Sequence, residues 1–141
     1  MKKRTLIITL SALIFAAAVT LFPGNISTHQ NPTDSVPASA PSQRIDYFAS
    51  HGWDVHEIAC RNVVIPSVFS PAYEEYARIQ DKQGLPLREY AGSDAQLYLY
   101  EVKNYSPESK NMLAELLVCD DIAVASLVYS EDGGSLRFAV S

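Results

Sequence analysis

One uncharged run constrains this chain more than any other feature: the eighteen residues Thr5 to Phe22, which directly follow three basic residues. As a helix rising 1.5 Å per residue, the run would be about 27 Å long, close to the ~30 Å hydrocarbon thickness of a bilayer. Pro23 and Gly24 would end such a helix. Because little else in 141 residues could surround so long an apolar cylinder, we predict a transmembrane helix over 5–22.

The flanks of this segment predict its orientation. The basic residues at positions 2–4 place the cytoplasmic start at 1–4 and the rest of the chain outside the cytoplasm, by the positive-inside rule. The apolar run exceeds the 7–15 residues typical of a signal peptide, so we predict an uncleaved, single-pass signal anchor in the cell membrane. The alternative is a secreted protein released by signal cleavage.

Residues 23–43 have the composition of a linker. They are rich in Pro, Ser, Thr and Asn, and Ile26 and Val36 are their only bulky aliphatic residues. A segment of this kind cannot bury a core of its own, so we predict a flexible linker over 23–43 and an extracytoplasmic domain over 44–141.

Charge excludes one class of partner. After position 4, eight basic residues face sixteen acidic ones, a balance of −8. Nucleic-acid binding requires Lys and Arg clustered on one face to neutralise phosphates. We therefore predict no nucleic-acid partner.

Two helices are predicted in the domain. The first begins near Ser42 as N-cap and ends at Gly52. The second has Ser70 as N-cap, Pro71 at the first helical position and Gly84 at its end.

The rest of the domain has the patterns of strands. Apolar and β-branched residues predict one strand or two short ones over 53–65, and single strands over 95–105, 111–119, 122–130 and 136–140. Asp120-Asp121 suits a hairpin, and residues 131–134 are the strongest turn signal in the chain. The predicted fold class is α+β, with two helices packed on a small, mainly antiparallel meander sheet in two layers, preceded by one N-terminal transmembrane helix.

The domain resembles a known family. Gly52-Trp53-Asp54-Val55, Tyr73-Glu74-Glu75-Tyr76 and Tyr98-Leu99-Tyr100-Glu101-Val102 occur in the order seen in domain of unknown function 4830, a family of small bacterial membrane-anchored or secreted domains. The resemblance covers about Arg44 to the end. It implies a tether followed by a domain and supplies no catalytic residues. The strand-turn-strand ending is also similar to propeptide-like modules, which implies an inhibitor-like or regulatory module as the alternative.

Catalytic motifs are lacking in the sequence. There is no G-x-S-x-G elbow and no glycine-rich phosphate loop, so we predict no catalytic residue and no cofactor. His51, Asp54, His56 and Glu57 are metal-ligand types, but no single helix or strand would align them, and we predict no metal site. An unrecognised hydrolase is a further alternative.

The two cysteines leave two possibilities open. In an oxidising compartment Cys60 and Cys119 could form a disulfide, provided that they lie on neighbouring strands with Cα atoms within about 7 Å. Otherwise they are free thiols that pack as small apolar side chains.

Tyrosines mark a possible interaction surface. Tyr98, Tyr100 and Tyr105 recur along one predicted strand, and an exposed tyrosine row is typical of protein recognition. The other interpretation places Tyr98 and Tyr100 under the second helix. Taken together, the sequence predicts a membrane-anchored, non-enzymatic binding or protein-interaction module whose partners are the membrane, through its N-terminal helix, and an unknown protein.

Overall fold

The computed structural model describes residues 35–141. The predicted cytoplasmic start, the transmembrane segment and most of the linker lie outside the described residues. Within 35–141, no helix is long and apolar enough to cross a membrane. The helices are α1 (Pro41–Ser50) and α2 (Pro71–Gln83), with short 3₁₀ turns at Leu87–Tyr90 and Pro107–Ser109, and the strands are β1 (Val55–Val64), β2 (Asp94–Val102), β3 (Met112–Cys119), β4 (Ile122–Ser130) and β5 (Arg137–Phe138).

The five strands form a single antiparallel sheet in the order β1-β2-β3-β4-β5. Each strand pairs with its neighbour in sequence, which is the predicted meander. Together with two helices, this confirms the α+β class for the described domain. The hairpin prediction is confirmed too: Asp120 and Asp121 have φ angles of 49° and 64°, as a two-residue hairpin turn requires.

The prediction of two layers is wrong, because the helices pack on opposite faces of the sheet. On one face, which we call the α2 face, Leu97 and Leu99 pack with Tyr76 of α2. On the other, the α1 face, Tyr98 and Tyr100 pack with Phe48 of α1. Alternation along β2 gives both sets of side chains a core, so the domain has three layers with the sheet in the middle.

Local capping explains where both helices begin. Ser70 accepts a hydrogen bond from the Tyr73 amide (3.2 Å), and Gly84 ends α2 with φ 73°, both as predicted. The N-cap of α1 is Ala40 rather than Ser42, and the Gln43 side chain accepts a hydrogen bond from the Ala40 amide (3.0 Å). Pro suits the first position of a helix, so α1 starts at Pro41.

The folded domain begins earlier than predicted. The Ala38 amide donates to the Asp121 carbonyl, and the Ala123 amide donates to the Val36 carbonyl, both at 2.9 Å. Buried Arg44 also donates to the Ala38 carbonyl (3.0 Å). Residues 36–43 therefore belong to the domain and not to a flexible linker. Their composition gave no sign of this, since backbone pairing needs no particular side chain.

Candidate functional site

The two sides of the sheet differ in how their outer backbone groups are covered. On one side β5 pairs with only two residues of β4, so most of the edge there belongs to β4. Its edge is covered by three parts of the chain: residues 36–38 at its start, the α2 side chain Gln80 in the middle, and β5 at its end. The side-chain oxygen of Gln80 accepts from the Ser126 backbone amide (2.8 Å), and its side-chain NH₂ donates to the Ser126 backbone carbonyl (2.9 Å). A side chain thus provides the two hydrogen bonds that a further strand would make.

Gln83 extends this cover to the C-terminus. It donates to the Ser126 carbonyl (3.0 Å) and accepts from the Val140 amide (2.7 Å). The Trp53 indole donates to the Val140 carbonyl (2.9 Å). The backbone at the β4 edge is therefore hydrogen-bonded at its start, middle and end by distant parts of the chain.

The outer edge of β1 is open. Within residues 35–141, β1 pairs with β2 alone. A bulge lies between Glu57 and Ala59, and regular pairing runs from Ala59 to Val64. The residues Cys60, Asn62 and Val64 are exposed, alternating with half-buried neighbours. The regular half of β1 is thus a six-residue edge that solvent reaches.

The direction of the free backbone groups follows from the register. The Ile65 amide donates to the Ser93 carbonyl (2.9 Å), in line with the pairing of Val63 opposite Ala95. Hydrogen-bonded pairs alternate along an antiparallel ladder. The amides of residues 61 and 63 therefore point toward β2, and those of Asn62 and Val64 point away from the sheet.

A groove of about 850 Å³ adjoins the C-terminal end of this edge. It is lined by residues 62–64 of β1, 94–96 of β2, 118–119 of β3 and 120–121 of the β3–β4 turn. Asp94, Asp120 and Asp121 are exposed there, and no basic side chain is among the described residues that line it. The groove therefore favours positive charge.

Apolar exposure is concentrated near the same edge. The exposed fraction is 41% for Val64 and 81% for Val68, which follows β1 in the loop to α2. Among residues 35–141, the only other exposed large hydrophobic residue is Tyr105. Exposed apolar residues beside free backbone groups are features of a strand that receives another chain.

One buried carboxyl stands out among the titratable groups. Glu115 of β3 has no exposed surface and lies between Leu99 and Leu127 in the sheet register. Burial raises its pKa to about 7, against the opposing effects of the Tyr76 hydroxyl and the positive charges of Arg61 and Arg137.

The location of Glu115 decides what it can do. It lies under α2, where the buried hydroxyl-bearing residues Tyr73, Tyr76 and Tyr129 surround the same part of the core. Burial is the main cause that raises the pKa of the Tyr73 phenol, and the nearby charge of Glu115 raises it further. A fully buried carboxyl cannot contact a dissolved molecule in this conformation, so it bears on stability.

The two cysteines are not brought together. Cys60 is exposed on β1, opposite Tyr98 on the α1 face, and Cys119 is buried in the core of the α2 face. Their strands are separated by β2, so the condition of neighbouring strands is not met and both thiols are free. Of the two possibilities, the disulfide is ruled out in this structure because strand order and side-chain alternation both separate the pair.

The predicted interaction surface of tyrosines is wrong, because two of its three members are buried. Tyr98 and Tyr100 are buried under α1, with the Arg44 guanidinium 3.8 Å from the centre of the Tyr98 ring and Phe48 packed on Tyr100. The alternative was right about their burial but chose the wrong helix. Tyr105 lies after β2, is 40% exposed and packs edge-on against Trp53 and Phe138.

The metal-ligand types near β1 stay apart. His51 follows α1 and stacks edge-on with Tyr47, whereas Glu57 accepts a hydrogen bond from Tyr100 (3.3 Å). Among the described residues, no group of three or more His, Cys, Asp or Glu is arranged to hold a metal ion.

Sequence reasoning missed the residues of the open edge. Asn62, Val64 and Asp94 form no motif, and their proximity depends on the β1–β2 register. A faint signal existed in the polar residues that interrupt β1, since β3 and β4 are nearly free of them. No protein-family model matches the chain, and no curated protein or solved structure matches it significantly.

Proposed function

We propose that this chain is a membrane-anchored, extracytoplasmic protein-interaction module that binds an extended peptide segment by adding it as a strand to β1. The observation that carries the proposal is the asymmetry of the sheet: the β4 edge is closed by three separate parts of the chain, and the β1 edge has no partner among residues 35–141. Strand addition obtains affinity from backbone hydrogen bonds and specificity from alternate side chains.

The sequence of β1 supports this assignment. Proteins commonly protect an edge strand with Pro, charged side chains, a bulge or a covering segment. The strand has no Pro, its bulge lies before the regular stretch 59–64, and the one charged residue of that stretch, Arg61, belongs to the α2 face. The outward amides of Asn62 and Val64 are thus available to a partner strand.

The anchor rests on the sequence alone. The apolar segment 5–22 and the basic residues before it support a domain held outside the cytoplasm. N-terminal sequencing of the protein in washed membranes tests this part: a chain that retains 5–22 is anchored. A chain in the medium that begins after this segment is the secreted alternative.

A non-enzymatic role is part of the proposal. It is supported by the sequence, which lacks the usual nucleophile and phosphate-loop motifs, and by the burial of Glu115, the carboxyl with the most strongly raised pKa.

Selection of peptides tests the binding edge directly. A random-peptide display library would be selected on the full-length chain in detergent and counter-screened on Asn62→Pro. Proline removes the outward N–H of position 62 and leaves the bonds of residues 61 and 63 to β2 in place. We expect enriched peptides that lose at least tenfold in affinity on Asn62→Pro.

Two controls make the outcome decisive. Thermal unfolding of Asn62→Pro checks that the variant is folded, and Asn62→Thr, which keeps the amide and adds no charge, should bind the selected peptides like the parent chain. Failure to enrich any peptide, or peptides that bind folded Asn62→Pro as well as the parent chain, would refute the proposal.

A further inference from the structure

We infer that the segment added to β1 is cationic and places a Lys or Arg side chain opposite Val64, where it reaches Asp94 across the groove. This inference rests on the proposed function and specifies the chemistry of the partner. The occupant is an extended segment of another protein, with basic residues alternating with apolar ones.

The register defines which side chains meet. Asn62 lies opposite Gln96 and Val64 opposite Asp94, and directly opposed residues share a face of the sheet. Cys60 and Tyr98 belong to the same series, so these residues lie on the α1 face. A partner residue paired with Val64 would present its side chain on this face too.

Distance then selects a long side chain. Adjacent strands lie about 4.8 Å apart, so an added strand is about 10 Å from β2. The stem of Lys or Arg would cross Val64 and place the charge near Asp94, which a short side chain cannot do. The apolar surface of Val64, 41% exposed, suits the methylene groups of that stem.

The charged side chains that line the groove are all acidic, whereas Arg44 on the same face packs over the Tyr98 ring farther along β2 and pairs with Glu57 (3.7 Å). Asp120 and Asp121 lie at the far side of the groove and act through their field. Arg61, the basic residue of β1, pairs with Leu97 and so belongs to the α2 face, where its charge acts on Glu115. The α1 side of this end of the edge is therefore acidic, and a cationic partner is complementary to it.

Defined peptides test the inference on the full-length chain in detergent. The probe is a blocked peptide, Thr-Val-Lys-Val-Thr-Val-Lys-Val, compared with the same peptide carrying Glu in place of both Lys. We expect the Lys peptide to bind at least tenfold more tightly at low salt, with the ratio falling toward one at 1 M salt.

Matched variants locate the charge. Asp94→Asn should weaken binding of the Lys peptide severalfold, and the pair Asp120→Asn with Asp121→Asn should weaken it less, because those carboxylates lie at the far side of the groove. Asn tolerates the positive φ of both turn positions, so the double variant keeps the hairpin. Binding of the Lys peptide should be weakened by Asn62→Lys, which adds a like charge, and strengthened by Asn62→Glu, which adds an opposite one. Glu75→Gln, an equal loss of charge on exposed α2 surface, should leave it unchanged.

The outcomes separate the two proposals. Equal binding of both peptides that Asn62→Pro abolishes would overturn the cationic partner and leave strand addition intact. Tighter binding of the Glu peptide would overturn it as well. Absence of binding by either peptide, or binding that folded Asn62→Pro retains, would overturn strand addition together with it.

Discussion

The β3–β4 half of the sheet and its β1 side differ in how far their strands are buried. Every residue of β3 and β4 is buried, whereas β1 has exposed residues at alternate positions over its regular stretch. The buried half is satisfied by the chain itself, through Gln80 and the segment 36–38. The contrast shows that the buried core is concentrated in β3 and β4, and it is the basis of the proposal that β1 binds a partner strand.

Truncation of the core should have the largest effect. Leu116 of β3 has no exposed surface, and Leu116→Ala should lower the free energy of unfolding by about 3 kcal/mol, since it removes buried apolar contacts and leaves a cavity. Val64→Ala on β1 is the matched control and should change it by less than about 1 kcal/mol. Equal decreases in unfolding free energy for the two variants in denaturant titrations would contradict this difference between β3 and β1.

The buried Glu115 should make the β3–β4 half sensitive to pH. Its pKa is about 7 in the folded domain and ordinary when unfolded, so the folded state holds the proton more tightly. Its contribution is present in full below about pH 4.5 and is lost as pH rises through 7. The loss is on the order of 3 kcal/mol.

Glu115→Gln provides the comparison. The difference in unfolding free energy between the parent and this variant should be flat at low pH and change between pH 4.5 and 7.5, with the variant gaining relative to the parent. A pH-independent difference would show that the carboxyl does not change its protonation on folding.

Gln80 should matter next, because it closes one edge. Gln80→Ala removes both hydrogen bonds to Ser126 and should cost about 2 kcal/mol. It should also expose the β4 edge, so we expect concentration-dependent association by analytical ultracentrifugation. Gln43→Ala, which affects only the start of α1, is the control and should remain monomeric. Loss of stability without association would mean that the remaining segments still cover β4.

Asn62→Pro should have the smallest effect on stability. Its amide points away from the sheet, so the variant should unfold within about 1 kcal/mol of the parent while losing peptide binding. Val63→Pro breaks a bond to β2 and should cost at least about 3 kcal/mol. If the two variants were equally unstable in thermal melts, the Asn62 amide would not point away from the sheet.

The sequence predicted the parts of the fold that depend on neighbouring residues. Helix α2 was predicted because Ser70, Pro71 and Gly84 determine its ends locally. The Asp120-Asp121 hairpin was predicted for the same reason. The site was not predicted, since Asn62 and Asp94 are brought together by strand register and Gln80 covers Ser126 from forty-six positions away.

By itself, the sequence determined the helices, the strands and their order, because caps, turns and alternation act over a few residues. The tertiary structure alone decided that the helices pack on opposite faces, that Tyr98 and Tyr100 are covered by α1, and that residues 36–38 join the sheet. It also decided which edge is closed. The physical reason is that an edge is closed by whichever hydrogen-bonding groups the folded chain brings to it, and for β4 these come from three distant segments.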